Sequence, residues 1–277
     1  MIRLFKIEWY KLRSTRYFWV LSILSLVAFL LIPLLGDVML SWIEENVNGI
    51  SDEFLIQPSQ LPIFDFVDVW QNFGWVYKRL SILLSFIVII SVTNDLDYKT
   101  GRQNIIDGMS RKEFWLSKMS FILAISGIST LLFLVIGLII GYSMSPVTDF
   151  EYVVRHIEFV GAYFLQVFSM LMFAFMVSLI VKRSGFAIAL IILWNYVVEN
   201  VILGVNAIFE EIGWLDSMWV SNSMPLEAAS NLIPNPLFKY VLMDTPDSVP
   251  WQSLLIAVAW LAIYMVFTLR RIQRRDF

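Results

Sequence analysis

Long apolar runs constrain this chain more than any other feature of its sequence. A helix needs about 18 or more such residues to cross the apolar part of a bilayer. Four uncharged runs reach that length, and two more contain charged residues: the uncharged runs are 18–35, 119–141, 159–181 and 251–269, the others 72–93 and 184–205. Because helices satisfy their own backbone hydrogen bonds in lipid, we expect an all-α membrane protein with six transmembrane helices.

Composition supports this class, since 58% of the residues are hydrophobic, against roughly 45–50% in soluble domains. We predict a single transmembrane domain over residues 1–277. Its expected spans are about 17–36, 72–93, 118–141, 158–181, 184–205 and 250–269. These spans leave little room for a separate soluble domain.

The basic residues predict the orientation. With the N-terminus inside, the inner segments hold 16 of the 20 Lys and Arg residues, as the positive-inside rule expects. Lys78 and Arg79 lie near the outer end of the second span, where long side chains can reach the interface. We expect a multi-pass protein of the bacterial cytoplasmic (inner) membrane with both termini cytoplasmic, and no nucleic-acid partner, because the basic residues flank spans.

The first residues predict an amphipathic helix over 2–16. At 100° per residue one face is apolar and another is basic: the apolar residues are Ile2, Phe5, Trp9 and Leu12, and the basic ones Arg3, Lys6 and Arg13. We expect this helix to lie in the headgroup region of the membrane before the chain turns into the first span.

Residues 94–118, which we call the elbow segment, predict a short helix with defined ends. Thr100 and Gln103 have the spacing of a capping box, in which side chains satisfy the free amides at a helix start. Gly108 can adopt the left-handed conformation that ends a helix, and Ser110 with Glu113 forms a second capping box. The elbow helix therefore lies between two defined ends.

The elbow helix is expected to have an apolar and a polar side, formed by Ile105, Ile106 and Met109 and by Lys99, Arg102 and Asp107. Any short inner loop needs caps and charges, so these features alone have a purely structural explanation. Two capping boxes on either side of a helix-ending glycine, Gly108, favour the interpretation that this segment is a surface that binds a soluble partner.

The elbow segment, NDLDYKTGRQNIIDGMSRKEFWLSK, resembles the coupling-helix region of ABC type-2 transporter permeases. It has an acidic residue after the second span, a T-G-R-Q element, a Gly-x-Ser-Arg turn and a lysine at the start of the third span. The six spans and the N-terminal helix extend the resemblance over nearly the whole chain. One departure is that Asp95 or Asp97 stands where the family has glutamate.

The resemblance implies that 100–108 is a coupling helix docking on an ATP-binding cassette subunit. The residues implied in coupling are Asp97, Thr100, Gly101, Arg102, Gln103, Ile105, Ile106, Gly108 and Arg111. It also implies a second permease subunit, identical or paralogous, and export of a hydrophobic or amphipathic substrate by alternating access. ATP and Mg would be bound by the partner, and no cofactor by this chain.

Catalytic and metal sites are not indicated. The sequence contains no G-x-x-x-x-G-K-[ST] phosphate-binding loop and no G-x-S-x-G motif, and His156 is its single histidine. We therefore expect no enzyme activity, no catalytic residue and no metal site in this chain. The alternative function is a non-transporting membrane anchor that recruits a cytoplasmic partner.

Glu199 is the carboxyl group within a predicted span, near Asn195, and such groups are costly in lipid and often functional. The competing interpretation is structural, with Glu199 bonded to Asn195, Lys78 or Arg79. Two further patterns stay open at this point. GLIIG at 137–141 permits close helix packing, within the chain or between chains, and 206–250 is expected to form short outer helices, including one over 209–220.

Overall fold

The computed structural model describes residues 2–47, 64–211, 223–236 and 248–274, with side chains described except at Ile2, 36–47 and 206–211. Every regular element in these ranges is helical. The α-helices are α1 (Ile2–Arg13), α2 (Arg16–Val47), α3 (Val69–Tyr77), α4 (Ser81–Asp97), α5 (Thr100–Ile106), α6 (Arg111–Met144), α7 (Phe150–Val154), α8 (Glu158–Val181), α9 (Ser184–Leu193), α10 (Glu199–Glu211), α11 (Glu227–Ser230) and α12 (Trp251–Gln273). A 3₁₀ turn (Lys78–Leu80) joins α3 to α4, and a π-helical turn (Trp194–Val198) joins α9 to α10.

Six helical stretches in the described part of the chain are long and apolar enough to cross a membrane, in agreement with the predicted spans. They run over Arg16–Leu35, Val69–Asp97, Arg111–Met144, Phe150–Val181, Ser184–Val205 and Trp251–Gln273. The architecture indicates a multi-pass membrane protein. The third stretch begins seven residues before the predicted boundary of 118, because Ser110 starts the helix there.

The fourth span lies at the centre of the bundle. Its most apolar window is 72% buried within the protein, whereas the first and fifth spans are each only 17% buried. Tyr163 of α8 packs against Phe133 of α6 with ring centroids 4.7 Å apart, and its hydroxyl lies 2.8 Å from that of Ser129. Aromatic residues of α8 therefore form the middle of the core.

The glycines of the GLIIG pattern pack within the chain. A Cβ at Gly137 would lie 2.7 Å from the Trp70 ring, and one at Gly141 would overlap the Phe66 ring. Trp70 also donates a hydrogen bond of 2.9 Å from Nε1 to the carbonyl of Val153. The pattern thus seats the start of the second span against the third.

The N-terminal helix ends earlier than predicted and packs against α6. Ser14 and Thr15 follow it, and their hydroxyls donate to the carbonyls of Lys11 and Leu12. Leu12 is buried, as the apolar face predicts, but the most buried line also contains Leu4 and Glu8, which the prediction left out.

The segment before the last span is described only in part. The predicted helix over 209–220 lies mostly outside the described residues. Residues 223–236 contain α11 and lie against the second and sixth spans: Tyr264 donates 3.0 Å to the carbonyl of Pro225, and Lys78 Nζ donates 2.8 Å to Ser230 Oγ. Lys78 is 7% exposed, so the expectation that it reaches the interface is wrong for this residue, although Arg79 is exposed.

Candidate functional site

The elbow segment connects the second and third spans at the end of the bundle that also carries α1. Its short helix α5 is preceded by Lys99 in a left-handed conformation, φ 55°. Thr100 does not cap the helix. Its hydroxyl donates 2.5 Å to Asp95 Oδ1, and the side-chain amide of Gln103 donates 2.9 Å to Asp107 Oδ1. The first predicted capping box is therefore wrong, because Lys99 and not Thr100 is the N-cap, and the Gln103 backbone N–H donates 3.1 Å to the Lys99 carbonyl.

The second half of the elbow segment agrees with the prediction. Gly108 has φ 99°, a conformation that side chains with a Cβ rarely adopt. Ser110 Oγ accepts 3.2 Å from the Glu113 amide, and Glu113 Oε2 accepts 2.8 Å from the Ser110 amide. This complete capping box defines where the third span begins.

A small mixed surface faces outward from α5. Arg102 and Gln103 are exposed, and Ile106 is 67% exposed. Arg102 and Ile106 are four residues apart, so they lie on one face of the helix. Gly101 is buried and Ile105 half-buried on the side toward the bundle. The exposed face therefore combines the guanidinium of Arg102 with the apolar side chain of Ile106, a combination suited to contact with a protein partner.

A cluster of four charged groups, three of them buried and Lys11 partly exposed, lies beneath this surface. Lys118 Nζ donates 2.7 Å to Glu8 Oε2, lies 2.5 Å from Asp95 Oδ2 and donates 3.0 Å to Ser91 Oγ. Lys11 Nζ lies 3.2 Å from Asp95 Oδ1. Glu8 and Lys118 are 1% and 2% exposed, so water does not screen their interaction.

The cluster joins four elements. Glu8 and Lys11 belong to α1, Asp95 to α4 and Lys118 to α6, while Thr100 of α5 contributes its hydroxyl. Two carboxylates and two ammonium groups balance in formal charge, and their mutual attraction offsets the cost of removing them from water. A displacement of α5 or α1 would disturb these contacts, so the elements are energetically coupled.

Arg111 ties the last span to the same end of the bundle. Its guanidinium donates a short hydrogen bond to the carbonyl of Gln273, and Trp115 Nε1 donates 3.0 Å to Thr268 Oγ1. Asp97, implied in coupling together with Arg111, is exposed at the end of α4. The contacts expected of Asp97 are made by Asp95 instead, because Asp95 is the residue whose side chain faces the bundle.

Glu8, Asp95 and Lys118 are the central residues that sequence reasoning did not assign together. Glu8 is the acid in a basic helix and stands four residues from both Leu4 and Leu12. Spacing by four places residues on one helix face, so an acid between two leucines signals a buried carboxylate. Nothing in the linear sequence indicates that its partner is Lys118, 110 residues away.

Glu199 accepts hydrogen bonds from donors that the sequence analysis did not predict. Its Oε1 accepts 2.9 Å from Trp194 Nε1 and 2.9 Å from the Leu226 amide, and the residue is 2% exposed. Asn195 uses its carbonyl to accept from the Asn200 amide. The expected bonding of Glu199 to Asn195, Lys78 or Arg79 is therefore wrong, since the π-helical turn brings Trp194 to the carboxylate and Leu226, the residue before α11, donates its backbone amide.

Comparison with known proteins corrects the family indicated by the elbow segment. No curated protein matches the chain. The family model that matches residues 30–277 is that of DUF2705, described as a protein of unknown function, and the resemblance to ABC type-2 transporter permeases is wrong as a family assignment. The elbow pattern rests on capping residues and flanking charges, which any chain needs where helices begin and end. On the match over most of its length, this chain belongs to the DUF2705 family of proteins of unknown function.

Proposed function

We propose that this chain is the membrane subunit of a transport complex, driven by a separate ATP-binding subunit that docks on α5. The proposal rests on physical features of the elbow segment and not on family membership. Its main support is the buried charge cluster, which joins the exposed helix to the second and third spans and to α1.

The docking part of the proposal is supported by the exposed face of α5. Ile106 is 67% exposed beside Arg102, where the chain leaves one span and enters the next. A soluble partner would cover the apolar side chain and pair the cation. A partner acting here contacts the connection between two spans, the shortest route by which its movement reaches the membrane.

Transmission is supported by the way the cluster is built. Asp95 is bonded to Thr100 at the start of α5 and to Lys118 in the third span. Dense, charge-paired contacts have few alternative arrangements, so a shift of α5 would move the ends of the second and third spans together.

The remaining parts of the proposal follow the composition of the chain. The sequence has no phosphate-binding loop motif, so ATP and Mg would be bound by the partner. We place both termini and α5 on the cytoplasmic side of a bacterial cytoplasmic membrane, because most Lys and Arg residues flank that end. The exposed apolar faces of the first, fifth and sixth spans leave room for a second membrane subunit, identical or paralogous.

The experiment compares proteins captured by three versions of the full chain, purified from native membranes in mild detergent. One is wild type and the second is Arg102→Asp with Ile106→Ser. The matched control is Lys6→Asp with Tyr10→Ser, which changes an exposed basic residue and an exposed apolar residue four positions apart on α1. ATP hydrolysis and the identity of the bound subunit are measured in each preparation.

We expect wild type and control to retain an ATP-hydrolysing subunit and the α5 variant to lose at least about nine-tenths of it, a change worth about 1.4 kcal/mol. An ATPase that stays bound to the folded α5 variant would show that α5 is not the docking site. Capture of a different protein, lost on changing α5 and without ATPase activity, would refute driven transport and favour the membrane-anchor role.

A further inference from the structure

A polar cleft opens at the end of the bundle opposite α5, which we call the far end. Its volume is about 750 Å³. Side chains from the second, fourth and fifth spans line it, together with α11 and the start of α12; they include Lys78, Gln166, Asn195, Asn200, Glu227 and Gln252. Polar side chains that converge in a cleft of an otherwise apolar bundle are typical of a ligand site.

Two adjacent cations lie at one wall of the cleft. Lys78 Nζ donates to three neutral acceptors, Ser230 Oγ at 2.8 Å and the carbonyls of Ser230 and Ile233. Arg79 is exposed, and its guanidinium lies 5.4 Å from the centre of the Trp75 ring. Among the residues that the structure describes, neither cation has a carboxylate within 4.0 Å.

Among the described residues, Glu227 is the acid that lines the same cleft. Burial raises the pKa of Glu227, while the charges of Lys78 and Arg79 act in the opposite direction. Two cations face one carboxyl group, so the described wall of the cleft has an excess of positive charge whether or not Glu227 is ionised. An anion would compensate that excess in a place where water screens it poorly.

Gln166 supplies an independent indication of a ligand. It is 8% exposed and lines the cleft, and its Oε1 has no hydrogen-bond partner among the described residues. An amide offers two donors and one acceptor, and leaving one unpaired in a buried position is unfavourable. A hydroxyl group on the ligand could donate to this oxygen.

Apolar side chains continue the cleft toward the middle of the bundle. Ile82 stands one turn beyond Lys78, and Met170 one turn beyond Gln166. The second and fourth spans both run from the far end toward α5, so these residues form a deeper apolar wall. The cleft is therefore polar at its mouth and apolar below.

We propose that the cleft binds an amphipathic anion that carries hydroxyl groups, with the chemistry of a phosphoglycerol headgroup. Arg79 binds the anionic oxygens, Lys78 contributes its positive charge, Gln166 Oε1 accepts from a hydroxyl group of the ligand, and Ile82 and Met170 contact the apolar part. Binding at this cleft does not depend on the proposed transport function. It is measured on the isolated full chain, without any ATP-binding subunit.

The test measures binding of two probes to the purified full chain in a neutral detergent. Phosphatidylglycerol is titrated against phosphatidylcholine by native mass spectrometry, and glycerol 3-phosphate by calorimetry. The variants are Arg79→Gln and Gln166→Leu. Lys78 is left unchanged, because its contacts with Ser230 and Ile233 make it a folding residue as well. Matched controls are Arg155→Gln at the far end and Gln273→Leu near the C-terminus, neither of which lines the cleft.

We expect phosphatidylglycerol to bind in preference to phosphatidylcholine, about tenfold more weakly to Arg79→Gln and about fivefold more weakly to Gln166→Leu, with both controls near wild type. The same dependence for glycerol 3-phosphate would identify a soluble phosphate ester as the source of the ligand, and its absence a membrane lipid. Equal binding of the two lipids would mean that the cleft does not recognise an anionic headgroup, and weakening by Arg79→Gln alone would mean general electrostatic attraction at the surface; either result would overturn the proposal.

Discussion

Lys118 is a charged residue that is buried with two acids and a serine hydroxyl around it. A buried ion pair adds little net stability compared with apolar residues, but removal of one partner leaves uncompensated buried charge. The value of the arrangement therefore lies in how strongly it holds one geometry. Each of its members is expected to be sensitive to substitution on its own.

We predict that Lys118→Met destabilises the protein by about 3–5 kcal/mol, because Glu8 and Asp95 lose their shared cation. Thermal unfolding in detergent measures this effect. Lys112→Met, six residues earlier on the same helix and exposed, is the control and should change stability little. The double variant with Glu8→Gln should cost less than the sum of the single changes; strict additivity would mean that the two groups do not interact.

A second prediction concerns Glu199. It distinguishes the role of its negative charge from the role of its oxygen as a hydrogen-bond acceptor. Glu199→Ala leaves the Leu226 amide and the Trp194 indole without their acceptor, at a cost of about 1–3 kcal/mol. Glu199→Gln keeps an oxygen in the same place and should retain most of the stability. Unfolding midpoints of the two variants decide between these roles. If Glu199→Gln lowers the stability as much as Glu199→Ala does, the negative charge itself is needed.

Helix α6 shows at the level of an element how small residues position a neighbour. Gly137 and Gly141 lie one turn apart and accept the rings of Trp70 and Phe66 against the helix backbone. That contact fixes where the second span begins, and so places Lys78 in the cleft two turns later. The far-end cleft therefore depends on packing between two elements far apart in sequence.

We predict that Gly141→Ala destabilises the protein by about 1–3 kcal/mol, because the added methyl group overlaps the buried Phe66 ring. Gly127→Ala on the same helix has nothing within 4 Å of its Cβ and should stabilise by about 0.5–1 kcal/mol through helix propensity. Unfolding of both variants in detergent is compared with wild type. Equal effects at the two positions would contradict the packing role.

The whole molecule has two distinct ends, and its orientation is testable because the chain contains no cysteine. Single cysteines are introduced at Lys6, beside the charge cluster, and at Phe150, which is 77% exposed at the far end. We predict that a membrane-impermeant maleimide labels Phe150→Cys in intact cells, and Lys6→Cys only after permeabilisation. The unsubstituted chain is the control for background. Labelling in the reverse order would place α5 on the outer side and refute docking of a cytoplasmic ATPase.

Agreement between sequence and structure depends on how local each feature is. The second capping box is confirmed because Ser110 and Glu113 are three residues apart and nothing else competes for them. The first is wrong because the helix begins one residue earlier, with Lys99 as its N-cap and its carbonyl as the acceptor for the Gln103 backbone N–H. Glu199 was recognised as unusual, but its partner Leu226 lies in a connecting segment whose path the sequence does not reveal.

The sequence by itself determined the helical class, the six apolar spans, and the helix end and helix start on either side of Gly108. These features depend on the length of an apolar run and on backbone chemistry within a few residues. Only the tertiary structure decided which groups meet: Glu8 with Lys118, the 137–141 glycines with the start of the second span, and Lys78 with α11. Such pairings depend on how six helices pack around α8. Helix packing fills volume with whatever side chains the facing surfaces present, so no single stretch of sequence specifies its partner.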